Sequence, residues 1–172
     1  MMRYIHRQVE PVLKKLVAQF PSVAVTGPRQ CGKSTLLQEL FGSTHRYLSF
    51  EDPLLREQAT ADPKLFLETA GERVILDEIQ YVPQLLSYVK TLIDQHRSKT
   101  GRFIFTGSQQ FSMIKNLGDS LAGRIALLDL LPFHAEEQAS IPVLRAKLAS
   151  PRAAFLYACL HSAFPDLKLR PR

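Results

Sequence analysis

The stretch "SVAVTGPRQCGKST", residues 22–35, places small and β-branched residues directly before a turn that holds two glycines, a lysine and two hydroxyls. Residues 27–34 match the pattern G-x-x-x-x-G-K-[ST] at every fixed position. A turn of this kind, between a buried strand and a helix, directs backbone N–H groups inward as a nest for phosphate oxygens. The stretch therefore predicts a strand, a phosphate-binding loop and a helix, in that order.

Each fixed position of this phosphate loop has a predicted role. Gly27 and Gly32 allow the unusual backbone angles and the close approach that the nest needs. Lys33 reaches the β- and γ-phosphates of a nucleotide as a point charge, and the Ser34 hydroxyl ligates Mg²⁺. The helix that follows adds its positive end. The remaining predicted binding positions of the loop are Pro28, Arg29, Gln30, Cys31 and Thr35. Cys31 is interpreted as a small filler, with an exposed, oxidation-sensitive thiol as the alternative.

Apolar strands alternate with helical patterns along the chain. Apolar residues at helical spacing between Val9 and Phe20 predict an opening helix, which Pro21 ends. The predicted strands are "SVAVT", "HRYLSF", "RVILDEI", "RFIFTGS" and "RIALLDLL", and a looser helical stretch between the second and third is broken at Pro63. Continuously apolar strands that alternate with helices indicate an α/β fold, a parallel sheet covered on both faces. Ligands of such sheets bind at the carboxyl ends of the strands.

The third predicted strand ends in two acids, Asp77 and Glu78. A phosphate loop without a metal anchor and a base would only bind its ligand. Asp77 suits the Mg²⁺ shell, and Glu78, one residue further, suits the polarisation of an attacking water. Taken alone, the pair would be a solvated acidic turn; the loop upstream favours the functional interpretation.

Two further positions are candidate catalytic groups. Thr106 and Ser108 lie at the end of the fourth strand, where a hydroxyl between the γ-phosphate and water would sense hydrolysis. The alternative is ordinary turn chemistry at Gly107 and Ser108. Arg124 begins the last strand, and an arginine there would neutralise transition-state charge on a neighbouring subunit. The alternative for Arg124 is a surface arginine beside a strand.

Composition limits the classes of protein that the chain can represent. Its 172 residues suffice for one domain, and no apolar run approaches the roughly 20 residues of a membrane span. The two cysteines, Cys31 and Cys159, form neither a metal spacing nor an evident disulfide framework, which favours a reducing, cytoplasmic location. The net charge is +6, of which the part from residue 141 onward carries +5. That basic tail, with helices predicted to start at Ser140 and Ser150, is either solvated or a contact for nucleic acid or another anionic surface.

The motifs "VTGPRQCGKSTLL", "YLSFEDP", "VILDEIQYVPQLLSYVK", "RFIFTGSQQF" and "SLAGRIALLDLLPF" occur in this order. Together they resemble the bacterial and archaeal AAA-type P-loop ATPases, and among these the group with a TGPRQ-x-GKT loop and a DEIQ acidic motif. The resemblance covers residues 7–137. It implies the three-layer P-loop NTPase fold, with the fourth strand between the first and third of a five-stranded parallel sheet. It implies ATP and Mg²⁺ as ligands, Glu78 as the base, Ser108 as the sensor and Arg124 as the candidate finger of a homo-oligomer.

The chain departs from that group after residue 137. Members usually continue into a winged-helix-like region and a second domain, whereas this sequence ends at Arg172. We therefore divide it into an ATPase core, residues 1–137, and a short helical basic tail, residues 138–172, of a natural short form or a truncated chain. The main prediction is Mg²⁺-dependent ATP hydrolysis; the alternative is a non-hydrolysing regulatory nucleotide binder, with DNA or a partner protein as a possible contact. A GTPase is disfavoured because no N/T-K-x-D motif occurs.

Overall fold

The computed structural model describes residues 4–107 and 121–140, together with residues 150 and 152. The strands of the described chain are β1 Ser22–Thr26, β2 Arg46–Ser49, β3 Val74–Asp77, β4 Phe103–Thr106 and β5 Ile125–Asp129. Its helices of five or more residues are α1 Glu10–Gln19, α2 Lys33–Phe41, α3 Pro53–Ala61, α4 Pro63–Ala70, α5 Leu85–Gln95 and α6 Ala135–Ala139. A short 3₁₀ turn, Ile79–Tyr81, follows β3.

Proline and aspartate set the limits of the helices between β2 and β3. Asp52 and Asp62 precede Pro53 and Pro63, and each carboxylate accepts a hydrogen bond of 2.9 Å from a backbone N–H of the first turn. Proline suits a first helical position because its missing N–H would have no partner there. The predicted break at Pro63 is therefore confirmed: Asp62 ends α3 and caps α4.

All five strands are parallel and lie in the order β2-β3-β4-β1-β5. The predicted α/β fold with a five-stranded parallel sheet is confirmed, including the position of β4 between β1 and β3. The register aligns Ser22 of β1 with Phe103 of β4 and Ile125 of β5. The strands therefore end on one common edge of the sheet, where the phosphate loop follows β1 and the acidic pair ends β3.

The hydrophobic core lies on both faces of the sheet. Alternate residues of one strand point to opposite faces: Phe103 and Phe105 pack with α4 and α5 on one side, and Ile104 packs with α1 and α2 on the other. Every residue of β1, β3 and β4 is buried. Two helical layers therefore sandwich the sheet, as the resemblance implies.

One expectation about the end of the described chain needs correction, and one helix there was not predicted. The strand β5 is not continuously buried, because it lies at the edge of the sheet and Leu127 is 58% exposed. A helix that was not predicted, α6, forms before Ser140, and Ser140 is its C-cap. The ring of His134 accepts a hydrogen bond from the Glu136 N–H, and the Glu137 carboxylate accepts one from the His134 N–H. These reciprocal hydrogen bonds form a capping box at the start of α6.

The tail helices predicted after Ser140 and Ser150 lie outside the described residues, and the division of the chain at residue 137 stays a prediction. Within the described ranges, no helix has the length and apolarity that a membrane crossing requires.

Candidate nucleotide site

The phosphate loop begins in close contact with the chain that leaves β5. Gly27 has a φ of 145°, and a Cβ atom at this position would lie 2.2 Å from the Leu130 carbonyl oxygen. The Leu130 N–H donates to the Thr26 carbonyl at 2.8 Å, which holds the two segments together. Only glycine fits this position, because a Cβ would meet backbone that cannot move without breaking the sheet edge.

The loop turns through two further residues in the left-handed region and ends in α2. Gln30 has a φ of 62°, and Gly32, the N-cap of α2, has a φ of 95°. Lys33 is 5% exposed, and its ammonium donates to the carbonyls of Gly27 at 3.1 Å and Pro28 at 2.9 Å. The lysine side chain therefore folds back over the loop, which keeps its charge beside the backbone nest.

The variable loop positions differ in exposure. Arg29, Gln30 and Thr35 are exposed, whereas Cys31 is fully buried. Burial raises the pKa of the Cys31 thiol, against the smaller opposing effect of Lys33. These facts agree with a small filler, and the alternative of an exposed thiol at Cys31 is wrong for this structure.

Asp77 lies at the end of β3, where hydroxyls from three other elements surround it. The Ser34 hydroxyl of α2 donates to its carboxylate at 3.0 Å. Tyr47 of β2 donates at 2.6 Å, Ser49 of β2 lies at 3.4 Å, and Thr106 of β4 donates to the other oxygen. Burial, and then the neighbouring Asp77, raises the pKa of Tyr47 to about 12. The loop and the acidic strand are thus joined directly by Ser34 and Asp77.

Glu78 directly follows β3 in an unusual backbone conformation. Its φ of 56° and ψ of 47° lie in the left-handed region, which a non-glycine residue enters at a cost unless its surroundings hold it there. The Thr106 hydroxyl accepts from the Glu78 N–H at 2.9 Å. The Gln80 amide donates to the Glu78 carboxylate. The first contact fixes the backbone of Glu78, and the second orients its half-buried carboxylate at the sheet edge.

The oxygen donors at Asp77 fit a magnesium ion. Mg²⁺ prefers hard oxygen ligands and is typically held by one or two carboxylates, with waters and substrate phosphates completing its shell. Asp77 and Ser34 supply a carboxylate and a hydroxyl within 3.0 Å of each other. Among the described residues no group of three or more His, Cys, Asp or Glu could form an all-protein metal cage. The donor set therefore suits a nucleotide-bound Mg²⁺ ion.

Of the two remaining candidate catalytic residues, the structure places only Arg124, and it lies away from this edge. Ser108 lies outside the described residues. Arg124 precedes β5 at the opposite end of the sheet, about five residues, or roughly 16 Å, from the loop. Its guanidinium donates to both carboxylate oxygens of Asp94, at 2.8 and 3.1 Å, and this pairing holds the pKa of Asp94 below its usual value. Arg124 therefore cannot reach its own loop.

Comparison with known families matches residues 19–139 to a family described as an AAA domain. That range includes the loop, the acidic strand end and all five strands. This chain belongs to the AAA domain family.

The relatives of this AAA domain are longer proteins. An uncharacterized protein of Mycobacterium tuberculosis is 33% identical over 120 residues, which is 69% of this chain and 26% of the relative. The chain thus spans about a quarter of the length of that relative. Among solved structures, a Walker-type ATPase of Pyrococcus abyssi superposes with a TM-score of 0.59 and 19% identity, covering 96% of this chain and 66% of its own. AMPPCP-bound DnaA of Aquifex aeolicus has a TM-score of 0.57 and 12% identity, with coverages of 93% and 56%. These structures share the fold.

Sequence reasoning missed several residues that shape the site of this AAA domain. Tyr47 and Ser49 are alternate residues of β2 on the face toward Asp77, but only the register of β2 against β3 reveals this. Thr106 was noted at a strand end without its link between Asp77 and Glu78. Arg7, whose side chain contacts the loop backbone, gave no signal, because it precedes Cys31 by 24 residues.

Proposed function

We propose that this AAA domain binds ATP with Mg²⁺ and hydrolyses it. The observation that carries the proposal is the hydrogen bond of 3.0 Å between Ser34 and Asp77. It joins the two motifs that phosphoryl transfer needs, a phosphate cradle and a metal anchor, at the carboxyl edge of a parallel sheet. The finer assignment, to the group with the TGPRQ-x-GKT loop and the DEIQ motif, rests on those sequence motifs alone.

The proposed roles follow from the position of each group. The loop N–H groups and the Lys33 ammonium hold the phosphates, and Ser34 and Asp77 would hold Mg²⁺. A bound Mg²⁺ ion neutralises charge on the β- and γ-phosphates. Glu78 accepts a proton from a water whose oxygen attacks the γ-phosphorus while the bond to the ADP oxygen breaks. The products are ADP and inorganic phosphate.

The test separates binding from chemistry with two variants of the full chain. Lys33→Ala is expected to lose most of its affinity for a fluorescent ATP analogue, because the substitution removes the positive charge that would bind the phosphates. Its circular dichroism is expected to be unchanged. Glu78→Gln is expected to keep ATP affinity and to lose hydrolysis, since the neutral amide cannot accept the water proton.

The results distinguish the candidate functions. Unchanged ATP binding by Lys33→Ala would contradict the assignment of the loop. Binding that depends on Lys33, without turnover by the wild-type protein, would support a regulatory nucleotide binder instead. Lys14→Ala is the matched control, because Lys14 is an exposed lysine of α1.

A further inference from the structure

Arg7 is a buried cation of the segment that precedes α1. It is 6% exposed, and its guanidinium contacts three other parts of the chain. Nη1 donates to the Cys31 carbonyl at 3.0 Å, Nη2 donates to the Leu131 carbonyl at 2.6 Å, and Nε lies 3.1 Å from a carboxylate oxygen of Glu137. The guanidinium also stacks over the Phe133 ring, with 4.8 Å between Cζ and the ring centroid. A buried charge is costly without partners of this kind.

The contact with Cys31 bears on the phosphate loop directly. The Cys31 carbonyl and the Gly32 N–H belong to one peptide group, which is planar and trans. Fixing the carbonyl toward Arg7 therefore points the Gly32 N–H away from Arg7. That N–H is one of the backbone donors that the loop offers to phosphate oxygens. The Arg7 guanidinium thus controls the direction of a binding group that it does not itself contact.

The other contacts of Arg7 connect it to the segment that follows β5. The Glu137 carboxylate, whose side chain is 5% exposed, also accepts from the N–H groups of Gln8 at 2.9 Å and His134 at 3.2 Å. Leu131 follows Leu130, the residue whose carbonyl lies against Gly27. The chain that leaves β5 therefore contacts the loop twice, once through Gly27 and once through the guanidinium of Arg7.

We propose that Arg7 is a positioning residue of the phosphate loop: it holds the Cys31–Gly32 peptide in the orientation that binds nucleotide phosphate and joins the loop to the segment Leu130–Glu137. The proposal rests on the proposed function, because its consequence is ATP affinity. It explains why a permanently charged, planar group with several donors occupies this buried position, since a guanidinium can bridge two carbonyls and a carboxylate at once.

The experiment compares variants that differ in whether the loop contact is lost. In Arg7→Met/Glu137→Gln, both buried charges are removed together, so that neither is left unpaired. Glu137→Gln is the matched control, because it weakens the same ion pair but keeps the bonds from Arg7 to the two carbonyls. Each variant of the 172-residue chain is titrated with a fluorescent ATP analogue, and its thermal midpoint is measured without nucleotide.

The double variant is expected to bind ATP about 10-fold more weakly or worse, the loss typical of removing a charged hydrogen bond that orients a binding group. Glu137→Gln is expected to keep near wild-type affinity for ATP, even if its thermal midpoint falls as far as that of the double variant. In Arg7→Lys the loss is expected to be smaller, because one ammonium cannot span both carbonyls as the planar fork does.

The outcomes separate this inference from the proposed function. A folded double variant with wild-type affinity overturns the role of Arg7. If the double variant does not fold, wild-type ATP affinity in Arg7→Lys would also overturn the role of Arg7. The role is likewise overturned if Glu137→Gln loses as much ATP affinity as the double variant. If ATP binding by the wild-type protein does not respond to Lys33→Ala, the proposed function fails instead.

Discussion

The Thr106 hydroxyl has two partners at the candidate site. It donates to Asp77 and accepts from the N–H of Glu78, which lies in the left-handed region. The side chain is fully buried, so water cannot take over either contact. One oxygen atom of β4 therefore fixes both the carboxylate that would hold Mg²⁺ and the backbone of the proposed base.

The substitution Thr106→Val keeps the shape of the side chain and removes this oxygen. We expect the free energy of unfolding to fall by about 1–3 kcal/mol, because the Glu78 N–H loses its acceptor in a buried place. We also expect ATP hydrolysis to fall more than ATP affinity, because the loop itself is unchanged. Urea denaturation and steady-state turnover measure the two effects.

Thr91→Val is the control for Thr106→Val, since Thr91 is an exposed threonine of α5. Its effect on the free energy of unfolding should stay within about 0.5 kcal/mol. Equal stability and turnover in the two variants would show that the Thr106 contacts do not hold the site.

The strand β2 is fixed at its start by a buried histidine. His45 Nε2 lies 2.9 Å from the Gly101 carbonyl, and Nδ1 lies 2.9 Å from the Thr44 hydroxyl. A carbonyl only accepts, so Nε2 carries the proton of the neutral ring. Burial lowers the pKa of His45, and the charge of Arg73 adds to this effect.

The stability of the protein should therefore fall on mild acidification. A group whose pKa is lower in the folded state contributes stability that is present above its unfolded pKa, about 6.5 for histidine, and is lost as the pH falls below it. We expect the thermal midpoint of the wild-type protein to decrease from pH 7 toward pH 5 more steeply than that of His45→Gln. Parallel curves for the two proteins, measured by circular dichroism, would contradict this origin of the pH dependence.

The elements of this fold differ in how far local sequence determines them. Local sequence determines the structure of residues 22–41. As predicted, the β-branched run forms β1, the glycines lie in the loop, and α2 starts at Lys33. The exposure of Leu127 was not predicted, because an apolar run gives no sign of whether its strand lies at the centre or the edge of a sheet. The helix α6 was missed because histidine is not among the usual N-cap residues.

The two ends of the sheet have different chemistry in the folded chain. The loop, Asp77 and Glu78 lie at the carboxyl edge, whereas Arg124 lies at the amino edge and pairs with Asp94. A cavity of about 310 Å³ opens beside this pair, lined in part by Pro21 and Gly123. If Arg124 acts on ATP, the ATP must belong to another subunit.

Mixing variants tests this prediction of a shared site. Arg124→Ala and Lys33→Ala are each expected to be inactive, with a loss of roughly 10³-fold for a true arginine finger. Mixed oligomers should regain part of the turnover, because some interfaces pair an intact loop with an intact arginine. Arg97→Ala is the control, since Arg97 also contacts Asp94 but is 75% exposed.

Full activity of Arg124→Ala, or no recovery in mixed oligomers, would leave Arg124 as a surface partner of Asp94. Its pairing with Asp94 across 30 residues has no mark in the sequence. The same holds for Arg7 and Leu131, which are 124 residues apart. Motifs predict which groups would bind the nucleotide. Contacts between distant segments orient those groups, and these contacts are visible only in the folded structure.

The contact between Arg7 and Cys31 has a practical consequence for the choice of truncation boundaries in this domain. The family match starts at residue 19, the last residue of α1. A protein excised at that boundary would retain the whole nucleotide motif but lose Arg7, together with the buried Leu13 and Val17 that cover one face of the sheet. Truncation experiments that begin there would report the behaviour of an uncovered sheet and an unsupported loop, and inactivity in such a fragment would not reflect the domain itself.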